Sequence, residues 1–472
     1  MKTHSICSVA LITVFASLPA LARPPHPADP FGNGMVLQRG KKVPVWGQAD
    51  ADAQVTVAFA GQTKTGKADA NGAWNVELDP MVASAQNRVM TVSSGAEKTE
   101  FKDVLVGEVW ICSGQSNMEF AVYKDPVLAK EAATADDSEL RLRTMYQVPA
   151  AKPRLNILGT PWLPCNANNL KVGTPQNKGN FSAVAYVFGR QLRKELKVPV
   201  GLVEAAWGGT RIEPWTPLDA TPVIPSPKGS PVDKGAPHQQ PAALYHGMIL
   251  PWTGYAIRGA IWYQGESNCM QQDGMLYADR MQAMVSGWRA AWKQGDFPFY
   301  FVQIAPFPYG PGLLPVFWQA QTKAAREIPA AGMAVTQDVG NWKDIHPSNK
   351  IPVGERLARL ALSRTYRVKF RDDCGPVFKS AKAAGDKVRI TFDHAASGLA
   401  ARDSKPLTGF EIAGADGKFV PAHATVLGGA VVVSDPQVKQ PVQVRFGWIA
   451  GQDTNLMNGE KLPAVAFDAM VN

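Results

Sequence analysis

Five short apolar runs punctuate the middle of this 472-residue chain: EVWIC at 108–112, VGLVEA at 200–205, IRGAIW at 257–262, FYFVQI at 299–304 and GMAVTQ at 332–337. The segments between them carry helical spacing. Val184, Val187, Phe188, Leu192 and Leu196 share one face behind Ser182, a residue suited to an N-cap, and Met281, Met284, Val285, Trp288 and Trp292 repeat the pattern. A last helix begins near Pro352, which suits a first turn, and runs through Leu357 and Leu360. Uninterrupted apolar strands alternating with amphipathic helices specify a parallel sheet covered on both faces, because a strand buried on both sides has no use for polar alternation. The expected centre is an α/β domain built on a five-stranded parallel sheet.

The texture differs on either side of that centre. From Val43 to about Lys102 the segments VPVWG, QVTVAF, AWNVEL and RVMTVS alternate apolar and polar residues between turns such as Asp69-Ala70-Asn71-Gly72, and the same signature returns after Val377 in KVRITF, GFEIAG, AVVVS and VQVRFGW. Three domains are expected, since the length exceeds what one core organises: an N-terminal β-sandwich at 23–103, an α/β domain at 104–370 and a C-terminal β-sandwich at 371–472. Residues 1–22 read as a secretory leader, with Lys2, an apolar run from Ile6 to Leu18 and the small-residue site Ala20-Leu21-Ala22. An exported protein is the expectation, periplasmic or secreted, with no membrane partner. Beyond Cys7 of the leader, Cys112, Cys165, Cys269 and Cys374 show no C-x-x-C spacing and are expected as buried free thiols. The formal charge of +9 comes from scattered Lys and Arg without a basic run, so no nucleic-acid partner is expected.

In sheets of this kind ligands bind beyond the carboxyl ends of the strands. Ser113-Gly114-Gln115-Ser116-Asn117-Met118 follows the first run, Trp207-Gly208-Gly209-Thr210-Arg211 the second and Tyr263-Gln264-Gly265-Glu266-Ser267-Asn268 the third; Asp338 and Asp344-Ile345-His346-Pro347 follow the fifth. Each motif alone reads as a turn. Together they bring to one sheet edge a hydroxyl, amide donors, carboxylates and an imidazole, the set that serine hydrolysis needs.

The motifs GQSNM, WGGTRIE, WYQGESN and DIHPSNK, in this order, resemble the sialate O-acetylesterase family of SGNH-type carbohydrate esterases, and the resemblance extends to the opening GMVLQR and VPVWG segments and the C-terminal β region. It implies an SGNH-hydrolase-like, flavodoxin-type three-layer domain between β-sandwich regions. It also implies removal of acetyl groups from sugars through an acetyl-enzyme intermediate, with no metal and no other cofactor.

Carried onto this chain, the resemblance makes Ser116 the nucleophile, with Ser113 as a weaker competitor too close to the strand end. His346 is the best base: His238 sits in a proline-rich loop and His246 opens an apolar run, whereas His346 follows a strand end and is held by Pro347. The acid departs from the wider SGNH pattern, because Lys343 stands three residues before the histidine; Asp344 is the first choice, Glu266 the second and Asp338 the third. The expected oxyanion donors are the amide of Ser116, an amide of Gly208 or Gly209, and the side chain of Gln264, with Asn268 as its alternative. Arg211 is a candidate for meeting a sugar carboxylate, against an ion pair with Glu213 or another acid. Trp207, Trp262 and Tyr263 either stack on a sugar or pack. The long proline-rich segment from Thr216 to Pro241 is expected as a loop that either walls the sugar site or crosses the surface.

Acetylated sialic acid and acetylated plant polysaccharide such as xylan or xyloglucan both remain open as substrates. A reading of another class is a non-catalytic carbohydrate-binding protein. A protease or lipase ranks last, since no G-x-S-x-G elbow and no long apolar lid are present.

Overall fold

The computed structural model describes residues 24–175, 181–220, 235–448 and 451–472, so the expected leader and residues 221–234 of the proline-rich segment lie outside the described residues. Its centre is a sheet of strands β1 (Glu97–Gly114), β2 (Asp136–Thr144), β3 (Leu163–Asn166), β4 (Val200–Ala206), β5 (Gly259–Tyr263), β6 (Phe299–Val302) and β7 (Ala331–Ala334), in the order β3-β2-β4-β1-β5-β6-β7. Neighbours from β2 to β7 run parallel, and β3 closes one edge antiparallel. The five expected runs are β1, β4, β5, β6 and β7. The expected five-stranded sheet is therefore too small by one parallel strand, β2, and by an antiparallel edge.

The reason β2 escaped the sequence pattern is visible in its side chains. In DDSELRLRT two arginines alternate with two leucines, which reads as an exposed segment, yet Arg141 and Arg143 are buried. Arg141 donates to both carboxylate oxygens of Asp103, at 2.6 and 3.1 Å, and Arg143 donates to the carbonyls of Pro30 and Asp29 at 3.0 and 2.9 Å. Buried cations persist only when paired in this way.

Helices cover both faces. Along β1, Trp110 and Cys112 pack with Val184, Val187, Phe188 and Leu192 of α2 (Ala183–Leu196) and with Val353 and Leu357 of α6 (Ile351–Leu360). The alternate residues Val109 and Ile111 belong to the other core, with Met281, Met284 and Trp288 of α4 (Leu276–Trp292) and Phe317 of α5 (Leu313–Glu327). Two short helices, α1 (Ser116–Glu119) and α3 (Glu266–Met270), start at the carboxyl ends of β1 and β5. The Ser182 hydroxyl caps α2 by accepting from the amide of Ala185 at 3.1 Å, and Pro352 lies in the first turn of α6.

Antiparallel β structure flanks this centre on both sides, although the expected border at 103/104 falls inside one continuous strand. The first half of β1 pairs with strand Ser84–Ser94, its middle with Val36–Gln38, and its second half with β4 and β5. Val45, Val57 and Val92 of the N-terminal strands accordingly share a core with Val109 and Ile111. Two four-stranded antiparallel sheets near the C-terminus enclose a core of their own around Val388, Ile390, Val431, Val433, Val444 and Phe446. All four cysteines beyond the leader are free, three of them buried. Among the described residues no helix is long and apolar enough to cross a membrane.

One buried acid in β4 carries a stability prediction. Burial pushes the Glu204 carboxyl up to about 8, against hydrogen bonds from the Ser182 amide and the Thr144 hydroxyl that favour its ionised form. Its folded pKa lies above the unfolded value of 4.5, so the stability it contributes is complete below pH 4.5 and is lost as pH rises through about 8. Glu204→Gln, which keeps the neutral shape, should leave thermal stability near wild type at pH 4 and raise it at pH 8 by about 2–4 kcal/mol. Melting curves at the two pH values check this.

Candidate functional site

Strand β1 ends where the backbone of its parallel neighbour β5 presses against it. Gly114 has φ of +145°, and a Cβ there would lie 2.1 Å from the carbonyl oxygen of Tyr263 at the end of β5. No other residue fits. The amide of Gln115 then donates to that same Tyr263 carbonyl at 2.9 Å, and α1 opens with Ser116. Gly208, just past β4, meets the other side of the turn, where a Cβ would stand 3.2 Å from Cβ of Ser116. The buried Gln115 side chain reaches the third motif, accepting from the amides of Gly265 at 3.5 Å and Ser267 at 3.4 Å.

His346 arrives from the loop after β7, 230 residues along the chain, and its Nε2 lies 2.8 Å from Oγ of Ser116. Burial holds the imidazole below its ordinary value of 6.5, and the charges of Lys350 and Lys124 lower it further, while Asp344 acts in the opposite direction. Asp344 Oδ1 lies 3.7 Å from Nδ1 of His346 and accepts from the His346 backbone amide at 2.8 Å. This carboxylate is exposed.

The two other acids are committed elsewhere. Asp338 forms a bidentate pair with Arg356, at 2.7 and 2.6 Å. Glu266 is fully buried; its Oε1 accepts from Nδ2 of Asn117 at 2.6 Å, and burial raises its carboxyl above the ordinary range. Neither is bonded to the imidazole. Ser113 is buried, and its hydroxyl donates to the Ala205 carbonyl at 2.6 Å, which removes it as a competitor.

The remaining assignments need correction. Both amide hydrogens of Gln264 have acceptors, Thr210 O at 3.1 Å and Asn268 Oδ1 at 2.6 Å, so this buried side chain is not available to an oxyanion. Asn268 fares no better, because it donates to Glu213 and Asp273 and accepts from the Ile212 amide. Arg211 is fully buried and ion-paired with Glu213 and Asp273, which Arg280 also contacts. A sugar carboxylate cannot reach it without breaking that network. The Gly208 amide donates to Oε2 of Glu119 at 2.6 Å, while Gly209, with φ of +73°, borders open space. Trp262 and Tyr263 are packed in the interior, whereas the half-buried Trp207 stacks on His238 with ring centroids 4.7 Å apart.

Two residues inside the quoted motifs had no role in the sequence reading. Asn117 and Lys350 are both fully buried and bonded to each other, Lys350 Nζ donating to Oδ1 of Asn117 at 2.5 Å. The signal was present in the sequence: a lysine directly before a helix start opposes the helix dipole, an unfavourable placement that asks for a reason.

Residues 106–363 match the family described as carbohydrate esterase, sialic acid-specific acetylesterase. The chain is 29% identical over 432 residues to a sialate O-acetylesterase of Rattus norvegicus, covering 78% of each chain, and 30% identical over 385 residues to one of Homo sapiens, covering 74% of this chain and 73% of the human one. Among solved structures it is similar to a carbohydrate acetylesterase from Xanthomonas citri, with a TM-score of 0.85, 35% identity, and coverage of 94% of this chain and 99% of that one. With the family match spanning more than half of its length, the chain belongs to the sialic acid-specific acetylesterase family of carbohydrate esterases.

Proposed function

We propose that the protein hydrolyses O-acetyl esters on carbohydrate through a covalent acetyl-serine, and the observation that carries this reading is the 2.8 Å contact between Ser116 Oγ and His346 Nε2. In the first half-reaction Ser116 Oγ attacks the acetyl carbonyl and its proton passes to Nε2 of His346. The same imidazole returns that proton to the departing sugar oxygen as the ester C–O bond breaks. Water then repeats the sequence on the acetyl-serine, giving up a proton to Nε2, and acetate leaves. For this the neutral ring must carry its hydrogen on Nδ1, facing Asp344, with Nε2 as acceptor.

Asp344 is the proposed acid, acting across 3.7 Å in partly aqueous surroundings. Its contribution is accordingly modest: Asp344→Asn should lower kcat by about 10- to 10²-fold, the low end of what a general base's support supplies. Unchanged turnover in that variant would remove the aspartate from the mechanism. For the oxyanion, the amides of Ser116 and Gly209 are the proposed donors, since the hydrogens of Gly208 and Gln264 already have acceptors. The position of the serine at the carboxyl edge of a parallel sheet supports an SGNH-type, flavodoxin-like reading of the centre. The leader-like first 22 residues support export.

The named relatives favour acetylated sialic acid as substrate. The paired state of Arg211 favours a second reading, an uncharged acetylated polysaccharide such as xylan or xyloglucan, because this arginine, two residues past the glycine pair in sequence, is spent on Glu213 and Asp273. Acetate release from acetylated sialic acid, xylan and xyloglucan decides between them. Sugar binding without acetate release from any would return the protein to the non-catalytic class.

A further inference from the structure

A nucleophile and a base are productive only if the loops that carry them hold a fixed separation, and here the usual device is weak. The carboxylate beside His346 is exposed and 3.7 Å away, too long for a hydrogen bond. Something else must fix the loop. Three hydrogen bonds anchor it on either side of the imidazole, and a fourth closes the loop on itself. Ile345 O accepts from Nδ2 of Asn117 at 3.0 Å, the His346 amide donates to Asp344, the Lys350 amide donates to Oδ2 of Asp125 at 3.0 Å, and Lys350 Nζ donates to Asn117 Oδ1. Two of the four run through one side chain.

That side chain belongs to the residue next to the nucleophile. We propose that Asn117, held between Glu266 and Lys350, is the positioning residue of this site: it ties the helix that bears Ser116 to the loop that bears His346, and so sets the distance between the two reacting groups. The proposal rests on the acetyl-serine reading and adds to it the origin of the dyad's geometry. A carboxamide is required here. It donates to two oxygens, Ile345 O and Glu266 Oε1, while accepting from an ammonium, a combination that no carboxylate or hydroxyl reproduces. The clamp is dry. Asn117, Glu266 and Lys350 are each at most 1% exposed, and the Lys350 Nζ sits over the rings of Phe120, at 4.6 Å, and Tyr263, at 5.6 Å. Three of the four motifs meet at this amide, from the turns after β1, β5 and β7.

The charge of Lys350 gives the clamp a second, readable effect. The groups that act on it are Glu266, Asp344 and Asp125, and burial pushes its ammonium down to about 7. Lys350 is therefore charged below that pH, where His346, which feels Lys350, Lys124 and Asp344, takes up its proton.

Two variants test the proposal, each assayed on p-nitrophenyl acetate below its own melting temperature. Asn117→Asp keeps the shape and removes both donations; kcat should fall about 10²-fold, the scale of a misplacement near 1 Å, with KM within about twofold of wild type. Lys350→Met fills the space between the two aromatic rings but leaves Asn117 Oδ1 without its donor, so it is assayed with its lowered stability measured alongside. It should lower kcat about tenfold and move the acidic limb of kcat/KM to higher pH, since a positive charge near His346 is gone. A merely structural role would lower melting temperature and leave kcat and the pH profile of the folded enzyme in place; either variant behaving so overturns the proposal. Should Asn117→Asp not fold, the Lys350→Met profile decides alone. Failure of wild-type Ser116 to acquire an acetyl group would instead strike the underlying reading.

Discussion

Ser116→Ala lowers the turnover of an acetyl ester by about 10⁶-fold while the folded protein persists, the loss expected when the nucleophile of a covalent mechanism is removed. The expectation follows from position. Ser116 is half-buried and its hydroxyl is bonded to His346 Nε2, whereas the nearby Ser113 is buried and gives its proton to a strand carbonyl. Nothing in the turn depends on the lost oxygen. Gly114, Gln115 and Gly208 shape it through backbone contacts, so the melting temperature should move little; deletion of one partly exposed hydroxyl costs about 1 kcal/mol or less. Equal activity in the variant, by acetate release, would place the chemistry elsewhere.

His346→Ala should cost about 10⁴- to 10⁶-fold in kcat, and the double variant with Ser116→Ala should lose no more than the worse single one. Residues that act as one unit are not additive, because removing either disables the same proton transfer. Independent roles would instead multiply. The wild-type pH profile carries the same information: the base works when neutral, and the imidazole is held below 6.5 by burial and by two lysines, so the acidic limb of kcat/KM should have its midpoint below pH 6.5. Activity lost already above pH 7 would contradict the assignment of His346.

Much of this was legible from periodicity. Strands buried on both faces and helices with one apolar stripe reveal themselves because their environment is uniform along the element, as in β4, buried at all seven positions, and α2, capped by Ser182. Strand β2 did not, because its buried arginines are matched by Asp103 and by carbonyls that lie far away in sequence. The continuity of β1 across residue 103 was invisible for a related reason. Alternating exposure gives way to unbroken burial midway along β1, a change of surroundings within one strand that reads as a change of domain. At the site, the residues with chemistry to offer stood in recognisable motifs, and Ser116 and His346 do meet. What the motifs could not convey is how polar side chains spend their hydrogen bonds. Gln264 and Arg211 lie near the right edge yet are consumed by Thr210, Asn268, Glu213 and Asp273, while Asn117, silent in the sequence, joins three loops.

The most direct test of the account is to quench the wild-type enzyme during steady turnover of p-nitrophenyl acetate at mildly acidic pH and map the added mass by peptide sequencing. The account predicts one acetyl group on the tryptic peptide from Asp103 to Lys124, located at Ser116, that disappears as substrate is exhausted. Acetate release with no acetylated enzyme at any quench time, or with the acetyl group on another residue, would contradict it.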